Sequence, residues 1–474
     1  MQLRDDQVQF MQQITEALTR APHQVLAVAP TGSGKTVCFS ALTKEWTQAD
    51  LYTRVMILVH RRELLAQVST TLTAWGVEHG LIAPGAPNHK TRRVQIASVQ
   101  TLVHRLADYA PPDYIIIDEA HHAIMTSSWG KVLTAWPHAK RLGVTATPQR
   151  LSGEPLRGIF STLVVGPSVK SLMAAGALST YRLFAPPVHH ADKITRRMGD
   201  YSRKELSETM NTSTITGDAV QHYHKIAHGK RTMVFCVSVA HAQKVADKFT
   251  EAGNRAFSID GTMSSSHRRS LIAAFTSGEI TVLTSCDLVS EGFDLPAVEV
   301  AILLRPTQSL ALHLQQVGRA LRPYPGKVAA IILDHAGNSQ RHGLPDDERL
   351  WSLDGHVKHK KSDNDEIGVS TKTCPRCYAV MLTIEPTCLE CGHEFQSERK
   401  IVQVEGTLIE VDLVAARKAA RRDQGEAITR EDLIALGRAR NYRWPHLWAE
   451  HVLAARKGPV KEQVLYALPQ PSRR

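Results

Sequence analysis

Two series of short, uninterrupted apolar runs alternate with amphipathic stretches along this chain. The first series comprises VLAVA, VMILV, VQIA, YIIID and LGVTAT, which begin at residues 25, 55, 94, 114 and 142. The second comprises MVFCV, AFSID, ITVLT, VEVAILL and VAAIIL, which begin at residues 233, 256, 280, 298 and 328. Continuous runs of this length are typical of parallel strands buried on both faces of a sheet.

The stretches between these runs, such as residues 61–75 and 239–253, have helical spacing of apolar positions. Strands that alternate with helices predict an α/β fold of two tandem doubly wound parallel-sheet lobes. We place these lobes at residues 1–185 and 214–340, joined by a polar connector at 186–213. Residues 341–370 lose periodicity and are predicted to be a linker. A small cysteine-containing module at 371–397 and a helical segment at 398–474 would complete the chain.

Length and composition fit this organisation, because 474 residues are too many for a single hydrophobic core. The sequence has no apolar run long enough to span a membrane, and its first residues carry acids, so we expect no signal peptide and a cytoplasmic location. A net charge of +11 favours a polyanionic partner such as nucleic acid, although many basic proteins bind none.

A phosphate-binding loop is predicted by APTGSGKTV, residues 29–37, which follows the first apolar run. Glycines let the backbone wrap around phosphates, the lysine reaches the β- and γ-phosphates, and the final hydroxyl ligates Mg²⁺. The alternative is a glycine-rich turn with a solvent-exposed lysine, which the strand–loop–helix context disfavours. The candidate residues are Thr31, Gly32, Ser33, Gly34, Lys35 and Thr36.

Acidic residues end another predicted strand, where YIIID leads into DEAH, residues 118–121. Ligands of doubly wound sheets bind at the carboxyl ends of the strands. Asp118 can therefore hold Mg²⁺ through its water shell, and Glu119 can direct the attacking water. His121 would face the second lobe, with a capping role as the alternative. The two motifs together predict hydrolysis of ATP or GTP.

A stripe of polar side chains is predicted in QQVGRALRP, residues 315–323. On a helix Gln315, Arg319 and Arg322 lie at i, i+4 and i+7 and share one face. Two arginines on one stripe usually face an anion, and a basic surface helix is the alternative interpretation.

The ordered set of motifs resembles the superfamily 2 helicases and translocases. To the motifs above it adds VHRRELLAQ (59–67), ASVQTL (97–102), TAT (145–147), VFCVSVAHA (234–242) and TSCDLVSEGFD (284–294). The resemblance covers residues 1 to about 335 and implies two RecA-like lobes with ATP between them. It implies that Arg319 and Arg322 are arginine fingers and that Gln315 contacts phosphate or water. Gly292 and Asp294 would contact the ribose, and Arg4 and Gln7, in LRDDQ, the adenine.

The same resemblance implies a nucleic-acid path and a coupling element. Backbone contacts would come from His60, Arg61, Ser98, Gln100 and Thr101 in the first lobe and from Ser238, Thr284 and Ser285 in the second. Thr145 and Thr147, with His121, would couple hydrolysis to this path. Hydroxyls, amides and a few cations can follow phosphates without reading sequence.

Residues 301–338, followed by a cysteine group, resemble the bacterial RadD-like DNA-repair helicases and their phage relatives. This resemblance implies an ATP-dependent DNA helicase or translocase acting in repair, recombination or replication. Its partner would be single-stranded, forked or branched DNA, with single-strand-binding or repair proteins as further partners and no membrane. An RNA helicase and the motor subunit of a restriction or defence complex remain alternatives.

Four cysteines form two C-x-x-C pairs, CPRC and CLEC, separated by ten residues. Cys374, Cys377, Cys388 and Cys391 at this spacing predict a closed, structural Zn²⁺ site. A redox dithiol is the alternative. Nearby Lys372, Arg376 and Tyr378 could contact DNA, or the ribbon could dock on the second lobe.

Overall fold

The computed structural model describes residues 2–87, 89–150, 153–185, 196–197, 200–201, 213–286, 295, 297–354, 371–382, 385–395, 422–423, 426–439 and 445–456. They form two compact units, Met1–Gln396 and Ser397–Arg474. None of the helices within the described ranges is both long and apolar enough to cross a membrane.

The first lobe is built on a seven-stranded parallel sheet. Its strands are β1 (Gln24–Val28), β2 (Val55–Val59), β3 (His79–Ile82), β4 (Val94–Ser98), β5 (Tyr114–Asp118), β6 (Lys140–Thr145) and β7 (Thr162–Val165). They are arranged in the order β3-β4-β2-β5-β6-β1-β7. All five apolar runs of the first series are strands, as predicted. The two edge strands, β3 and β7, were not predicted, because each is only partly buried and has an apolar run of only two or three residues.

Helices cover both faces of this sheet. Chain order gives α1 (Asp5–Thr19), α2 (Lys35–Ala49), α3 (Arg62–Ala74), α4 (Val99–Leu102) and α5 (Ser128–Ala135). The first three pack on one face through side chains such as Phe10, Phe39 and Leu72. Residues of α4 and α5, with Phe160, pack on the other. Burial on both faces explains the continuous apolar runs.

The second lobe is built on a six-stranded parallel sheet. Its strands are β8 (Tyr181–Phe184), β11 (Thr232–Phe235), β12 (Ala256–Ile259), β13 (Val282–Ser285), β14 (Val300–Leu303) and β15 (Ala330–Asp334). They are arranged in the order β12-β13-β11-β14-β15-β8. Its helices are α6 (Val169–Ala174), α7 (Ser213–Ala227), α8 (Val239–Glu251), α9 (Ser265–Ser277), α10 (Leu310–Ala320) and α11 (Asn338–His342). A small hairpin of β9 (Arg196–Arg197) and β10 (Asp200–Tyr201) lies within the predicted connector.

The chain passes between the lobes earlier than the sequence pattern indicated. Strand β8 lies within residues 1–185, which the sequence assigned to the first lobe, but it pairs with β15 of the second sheet. Leu172 of α6 is also buried in the second lobe's core. Arg182 and the half-exposed Tyr181 interrupt the apolar pattern of β8. This edge strand was therefore not predicted from the sequence.

Part of the predicted linker returns to the first lobe. We call residues 343–354 the return segment. Leu353 is buried in the first lobe's core, and its carbonyl accepts hydrogen bonds from Leu156 N (2.8 Å) and Arg157 N (3.1 Å). The Arg157 guanidinium pairs with the Asp354 carboxylate. The linker prediction is therefore wrong for these residues, while 355–370 lie outside the described residues. Within the described residues the chain therefore passes between the lobes twice, after β7 and again in the return segment.

The cysteine module forms a small ribbon with strands β16 (Thr371–Thr373) and β17 (Val380–Leu382). The second compact unit contains α12 (Arg430–Ala439) and α13 (Pro445–Arg456), which pack through a cluster that includes Leu433 and Ala449. Helices in this unit agree with the predicted helical segment at 398–474, most of which lies outside the described residues.

Candidate active site

The phosphate-binding loop connects β1 to α2, as its sequence predicts. Gly32 and Gly34 have φ angles of +87° and +92°, in the left-handed region that favours glycine. A Cβ on Gly34 would lie 2.3 Å from Gln7 Nε2, so only glycine allows that side chain to approach the loop. Helix α2 begins at Lys35, and its free N–H groups provide an anion site.

Lys35 lies over its own loop. Its Nζ donates to the carbonyls of Ala29 (3.0 Å) and Pro30 (3.2 Å). Phosphate oxygens are stronger acceptors for this ammonium than the two carbonyls, because they are charged. An anion bound in the loop would therefore attract the Lys35 ammonium, while the phosphate role of Lys35 and the Mg²⁺ role of Thr36 stay predictions.

The start of α1 is tied to the same loop. Gln7 is buried; its Oε1 accepts from Arg4 N (3.1 Å) and its Nε2 donates to Ser33 O (3.1 Å). Arg4 also donates to Ser33 O (2.8 Å), and both carboxylate oxygens of Asp6 pair with its guanidinium. Asp6 therefore orients Arg4. This places Arg4 and Gln7 beside the phosphate loop, where the resemblance implies an adenine contact.

The two carboxylates of DEAH lie at the carboxyl end of β5. Asp118 is buried and accepts from Glu119 N (3.0 Å). Burial, and next the charge of Glu119, raise the pKa of Asp118 to about 7. A divalent cation reverses such an effect, because it favours the charged carboxylate. With the Thr36 hydroxyl, Asp118 supplies the oxygen donors that Mg²⁺ prefers, so the residues fit this ion.

The end of α10 brings the second lobe against the phosphate loop. A Cβ on Gly318 would lie 2.7 Å from Thr31 Cβ, so glycine lets the helix backbone contact the loop. The Cγ of Arg322 is 3.6 Å from the position that a Cβ of Gly32 would occupy. Both lobes therefore meet at the phosphate loop.

The charges of both lobes act on one ammonium. Burial lowers the pKa of Lys35, the charges of Glu119 and Asp118 oppose this, and those of Arg322 and Arg319 lower it further. Mutual repulsion of three cations is relieved by an anion placed among them. The arrangement is thus suited to polyphosphate.

The helical stripe is partly as predicted. Gln315 and Arg319 lie on α10 and are buried, whereas Arg322 lies two residues past its last residue, Ala320. The prediction of one shared helical face is therefore wrong for Arg322. Among the described residues, nothing accepts a hydrogen bond from Gln315 Nε2. A buried donor without an acceptor is costly, and an added phosphate oxygen or water would satisfy it.

The predicted coupling residues form one hydrogen-bonded group inside the first lobe. His121 Nδ1 lies 2.9 Å from Thr145 Oγ1 and 3.4 Å from Glu119 Oε2. Thr145 Oγ1 donates to Thr147 O (2.9 Å) and accepts from Thr147 N (3.2 Å). His121 thus contacts Thr145 within its own lobe. The sequence had predicted that it faces the second lobe.

Arg150 was missed by the sequence analysis. It is buried, and its guanidinium donates to His121 O (3.0 Å), Ala123 O and Pro155 O (3.3 Å). It therefore holds the turn that follows Glu119. Its position three residues after the TAT motif is the sequence feature that could have indicated this role.

The predicted nucleic-acid contacts separate into two groups. Ser98 Oγ donates to Gln100 Oε1 (2.8 Å), and Gln100 Nε2 lies 3.5 Å from His60 O. These residues meet where β2 and β4 end, next to Arg61 and Thr101. In the second lobe Ser238 is half-buried and its hydroxyl accepts from His241 N (3.1 Å), capping α8.

Thr284 and Ser285 do not line a surface. Both are buried, and the Thr284 hydroxyl donates to Ala242 O (2.7 Å). The prediction that their side chains contact a nucleic-acid backbone is corrected on this point, since their strand faces the core. Gly292 and Asp294 lie outside the described residues.

The four cysteines converge. Their sulfur atoms all lie within 4.8 Å of one another, with Cys374 and Cys391 3.7 Å apart and Cys377 and Cys388 3.5 Å apart. Tetrahedral Zn²⁺ with bonds of about 2.3 Å separates its ligands by about 3.8 Å, so the residues fit this ion. The residue after each pair, Tyr378 or Gly392, has a positive φ (+63° and +68°), and the two turns are thus alike.

The ribbon docks on the second lobe. Phe184 bridges to Ala379, Ala185 N donates to Tyr378 O (2.9 Å), and Arg182 pairs with Glu390. Cys374, Cys388, Ala379 and Met381 are buried in the lobe's core cluster. Of the two alternatives for the ribbon, docking is observed.

Comparison with known proteins agrees with this two-lobe site. Residues 1–150 match the family model "Type III restriction enzyme, res subunit" and residues 216–324 match "Helicase conserved C-terminal domain". A 51.5 kDa protein of a Lactococcus phage is 34% identical over 418 residues, which cover 87% of this chain and 88% of the phage protein. The Saccharomyces cerevisiae protein IRC3, named as an ATP-dependent helicase, is 29% identical over 71% of this chain. The match spans 52% of IRC3, about half its length.

Solved structures share the fold. An HsdR fragment of a type I restriction enzyme from Vibrio vulnificus matches with a TM-score of 0.58 and 22% identity over 72% of this chain and 66% of the fragment. The restriction-modification enzyme LlaBIII bound to DNA matches with a TM-score of 0.54 and 17% identity, over 70% of this chain and 27% of LlaBIII. Saccharomyces cerevisiae Dbp5 bound to RNA and ADP BeF3 matches with a TM-score of 0.51 and 15% identity, over 72% of this chain and 92% of Dbp5.

Proposed function

We propose that this chain, which belongs to the DEAD/DEAH-type helicases of superfamily 2, ATP-hydrolysing proteins with two RecA-like lobes, is a DNA translocase or helicase. The carrying observation is that the end of α10 in the second lobe lies against the phosphate loop of the first, with Gly318 against Thr31 and the side chain of Arg322 beside Gly32. Neither lobe alone supplies the whole site. Hydrolysis is therefore coupled to the approach of the lobes.

Each part of the hydrolytic site has one role. The loop amides and Lys35 hold the phosphates, and Arg4 and Gln7 bind the adenine. Bound Mg²⁺, held by Thr36 and Asp118, would neutralise phosphate charge. Glu119 orients water, and Arg319 stabilises the charge that develops on the γ-phosphate, an effect of about 10³–10⁵ in rate for such fingers.

We assign the nucleic-acid path to the surface where β2 and β4 end, with His60, Arg61, Gln100 and Thr101. Polar groups of this kind bind the phosphate backbone without reading bases. DNA is favoured by the match of residues 1–150 to a restriction-enzyme family model, because restriction enzymes act on DNA. Single-stranded or forked DNA, and a role in repair with other repair proteins as partners, follow from the RadD-like resemblance.

Two other functions remain candidates for this fold. Dbp5 was solved with RNA, which supports an RNA helicase. The restriction-enzyme relatives support a motor subunit that acts with a nuclease partner. We also propose that the four-cysteine ribbon holds a structural Zn²⁺, because its sulfur geometry leaves no ligand position open.

The test is steady-state ATP hydrolysis by the wild type and by Arg319→Ala, with single-stranded, duplex and forked DNA and with RNA. We expect DNA to stimulate the wild type and the variant to lose about 10³-fold in kcat while it still binds a fluorescent ATP analogue. Arg255→Ala is the matched control, since Arg255 is an exposed arginine of the same lobe. Stimulation by RNA alone would move the assignment to RNA, and no ATP hydrolysis under any condition would contradict the proposal.

A further inference from the structure

The chain reverses directly after the arginine helix. Lys327 N donates to Tyr324 O (3.0 Å), which closes a four-residue turn with Pro325 and Gly326 at its centre. Gly326 has a φ of +80°, and proline followed by such a glycine defines a type II turn. The turn brings the Lys327 side chain back beneath the end of α10.

The Lys327 ammonium binds three carbonyls there. Its Nζ donates to Ala320 O, to Arg322 O (2.7 Å) and to Val298 O (3.0 Å). Three acceptors satisfy all three N–H donors of an ammonium. The carbonyl of Ala320 is one of the last of α10, which have no partner within the helix and carry its negative dipole end. Lys327 is therefore a charged cap, and its bond to Val298 O links that cap to the segment that leads into β14.

The intervening carbonyl is held separately. Ser179 N donates to Leu321 O (2.7 Å), and Ser179 Oγ lies 3.4 Å from Arg322 O. Three successive carbonyls, at 320 to 322, are thus fixed by groups outside the helix. Since Arg319 precedes them and Arg322 is among them, their backbone positions set the places from which both arginine side chains extend.

We propose that Lys327 is a positioning residue for ATP hydrolysis, whose ammonium holds the end of α10 so that Arg319 and Arg322 reach the phosphate held by the first lobe. The proposal rests on the arginine-finger role given above and goes beyond it, because Lys327 lies outside the motifs to which the roles in ATP binding and hydrolysis were assigned. A neutral side chain at this position would leave Ala320 O and Arg322 O without this donor.

The surroundings of Lys327 make its charge sensitive to pH. Burial lowers the pKa of Lys327 to about 8, the charge of Glu299 raises it and that of Arg231 lowers it. Arg231 pairs with Glu299 (3.4 Å) and stacks on the ring of Tyr324, with Lys230 3.6 Å from the same carboxylate. Above this pKa the amine loses its charge and one donor, so alignment of the arginines weakens and kcat falls.

A loss of folding stability would not explain this fall in kcat. The pKa of Lys327 is lower in the folded chain than the ordinary value of 10.5, so the unfolded chain binds more protons between the two values. This lysine's contribution to the free energy of unfolding therefore rises with pH over that range. A decline of kcat above about pH 8, with unfolding temperature maintained, separates positioning from folding.

The experiment compares Lys327→Met and Lys327→Arg with the wild type and Arg319→Ala in ATP hydrolysis, from about pH 7 to about pH 10. We expect Lys327→Met to lower kcat by about tenfold or more with KM changed by less than about twofold, because the lost contact aligns groups used in the transition state. Lys327→Arg should retain most of kcat and move the alkaline decline to higher pH. Lys248→Met is the control, because Lys248 is an exposed lysine of α8.

The outcomes separate the two proposals. Absence of ATP hydrolysis by the wild type would contradict the proposed function. An active wild type with an inactive Arg319→Ala and a normal Lys327→Met would overturn only the inference about Lys327. If Lys327→Met unfolds, the test rests on Lys327→Arg. An alkaline decline of its kcat at the same pH as in the wild type would overturn the inference, and a decline at higher pH would support it.

Discussion

Glu119 illustrates how the site depends on single residues. Its φ of +49° lies in the left-handed region, which costs a side-chain-bearing residue about 1–3 kcal/mol and persists only when its surroundings enforce it. His122 N donates to Glu119 O (3.0 Å), and Arg150 holds the carbonyl of His121. These contacts hold the backbone of Glu119 in that conformation. The pattern YIIIDEAH predicts the residue but not this backbone.

At the same scale, Gln7 should determine nucleotide selection. We expect Gln7→Ala to raise KM for ATP by about tenfold, since two hydrogen bonds of about 0.5–1.5 kcal/mol each are lost. The KM for GTP should change less. Steady-state kinetics with both nucleotides measures this, with Gln13→Ala, an exposed glutamine of α1, as the matched control. Equal changes for ATP and GTP would contradict an adenine contact.

The residues of the phosphate loop and of DEAH were predictable because the residues of each motif that act together are adjacent in the sequence. Contacts between distant positions were not. Thr284 has the type and motif position of a surface contact, yet its hydroxyl bonds to Ala242 O. Lys327 has an unremarkable sequence context, and only the turn at Pro325 and Gly326 brings it to the arginine helix.

Among elements, the buried central strands were predictable and the edges were not. Strand β8 is an edge strand of the second sheet, and its unpaired side is a template for association with other chains. Here the ribbon covers it through the bridge between Phe184 and Ala379. The two C-x-x-C pairs predicted the module, but no sequence pattern indicated which edge it would cover.

Removal of metal from the ribbon should therefore destabilise the second lobe. We expect Cys374→Ser to lose Zn²⁺ and to lower the free energy of unfolding by about 3 kcal/mol or more, because Met381 and Ala379 would lose their buried positions. Metal analysis by mass spectrometry and denaturant unfolding measure the two effects. The partly exposed ion pair of Arg182 with Glu390 contributes little, because water screens it.

The control for this element is Cys286→Ser. Cys286 lies in the same lobe outside the cluster, and a serine hydroxyl can replace its hydrogen bond to Val237 O. It should keep its metal and its stability. Unchanged metal content in Cys374→Ser, or metal loss without destabilisation, would contradict the role given to the ribbon.

For the whole molecule, the return segment decides how the lobes are connected. We expect Leu353→Ala to destabilise the protein by about 2–5 kcal/mol, as for other buried leucines. Leu350→Ala on the same segment should change stability by less than about 0.5 kcal/mol, since Leu350 is 86% exposed. Denaturant unfolding measures both variants. Equal stability of the two would mean that the segment does not contribute to the first lobe's core.

The sequence predicted two lobes and their order, since each lobe repeats the same strand–helix pattern. It did not predict the return segment, because residues 343–354 have no periodicity and only Leu353 and Trp351 pack on the first lobe. A short segment anchored by one buried side chain has no signature in composition.

Among the described residues, the second lobe is thereby attached to the first at two places in the sequence. Gly166 N donates to Val28 O, and Leu353 O accepts from Leu156 N and Arg157 N, so the chain between them, which includes the second lobe's sheet, is a loop closed on the first lobe. Closing a loop removes conformational freedom from its ends. A cut within the return segment would therefore free one end of the second lobe while leaving its own core and the residues of the ATP site in place.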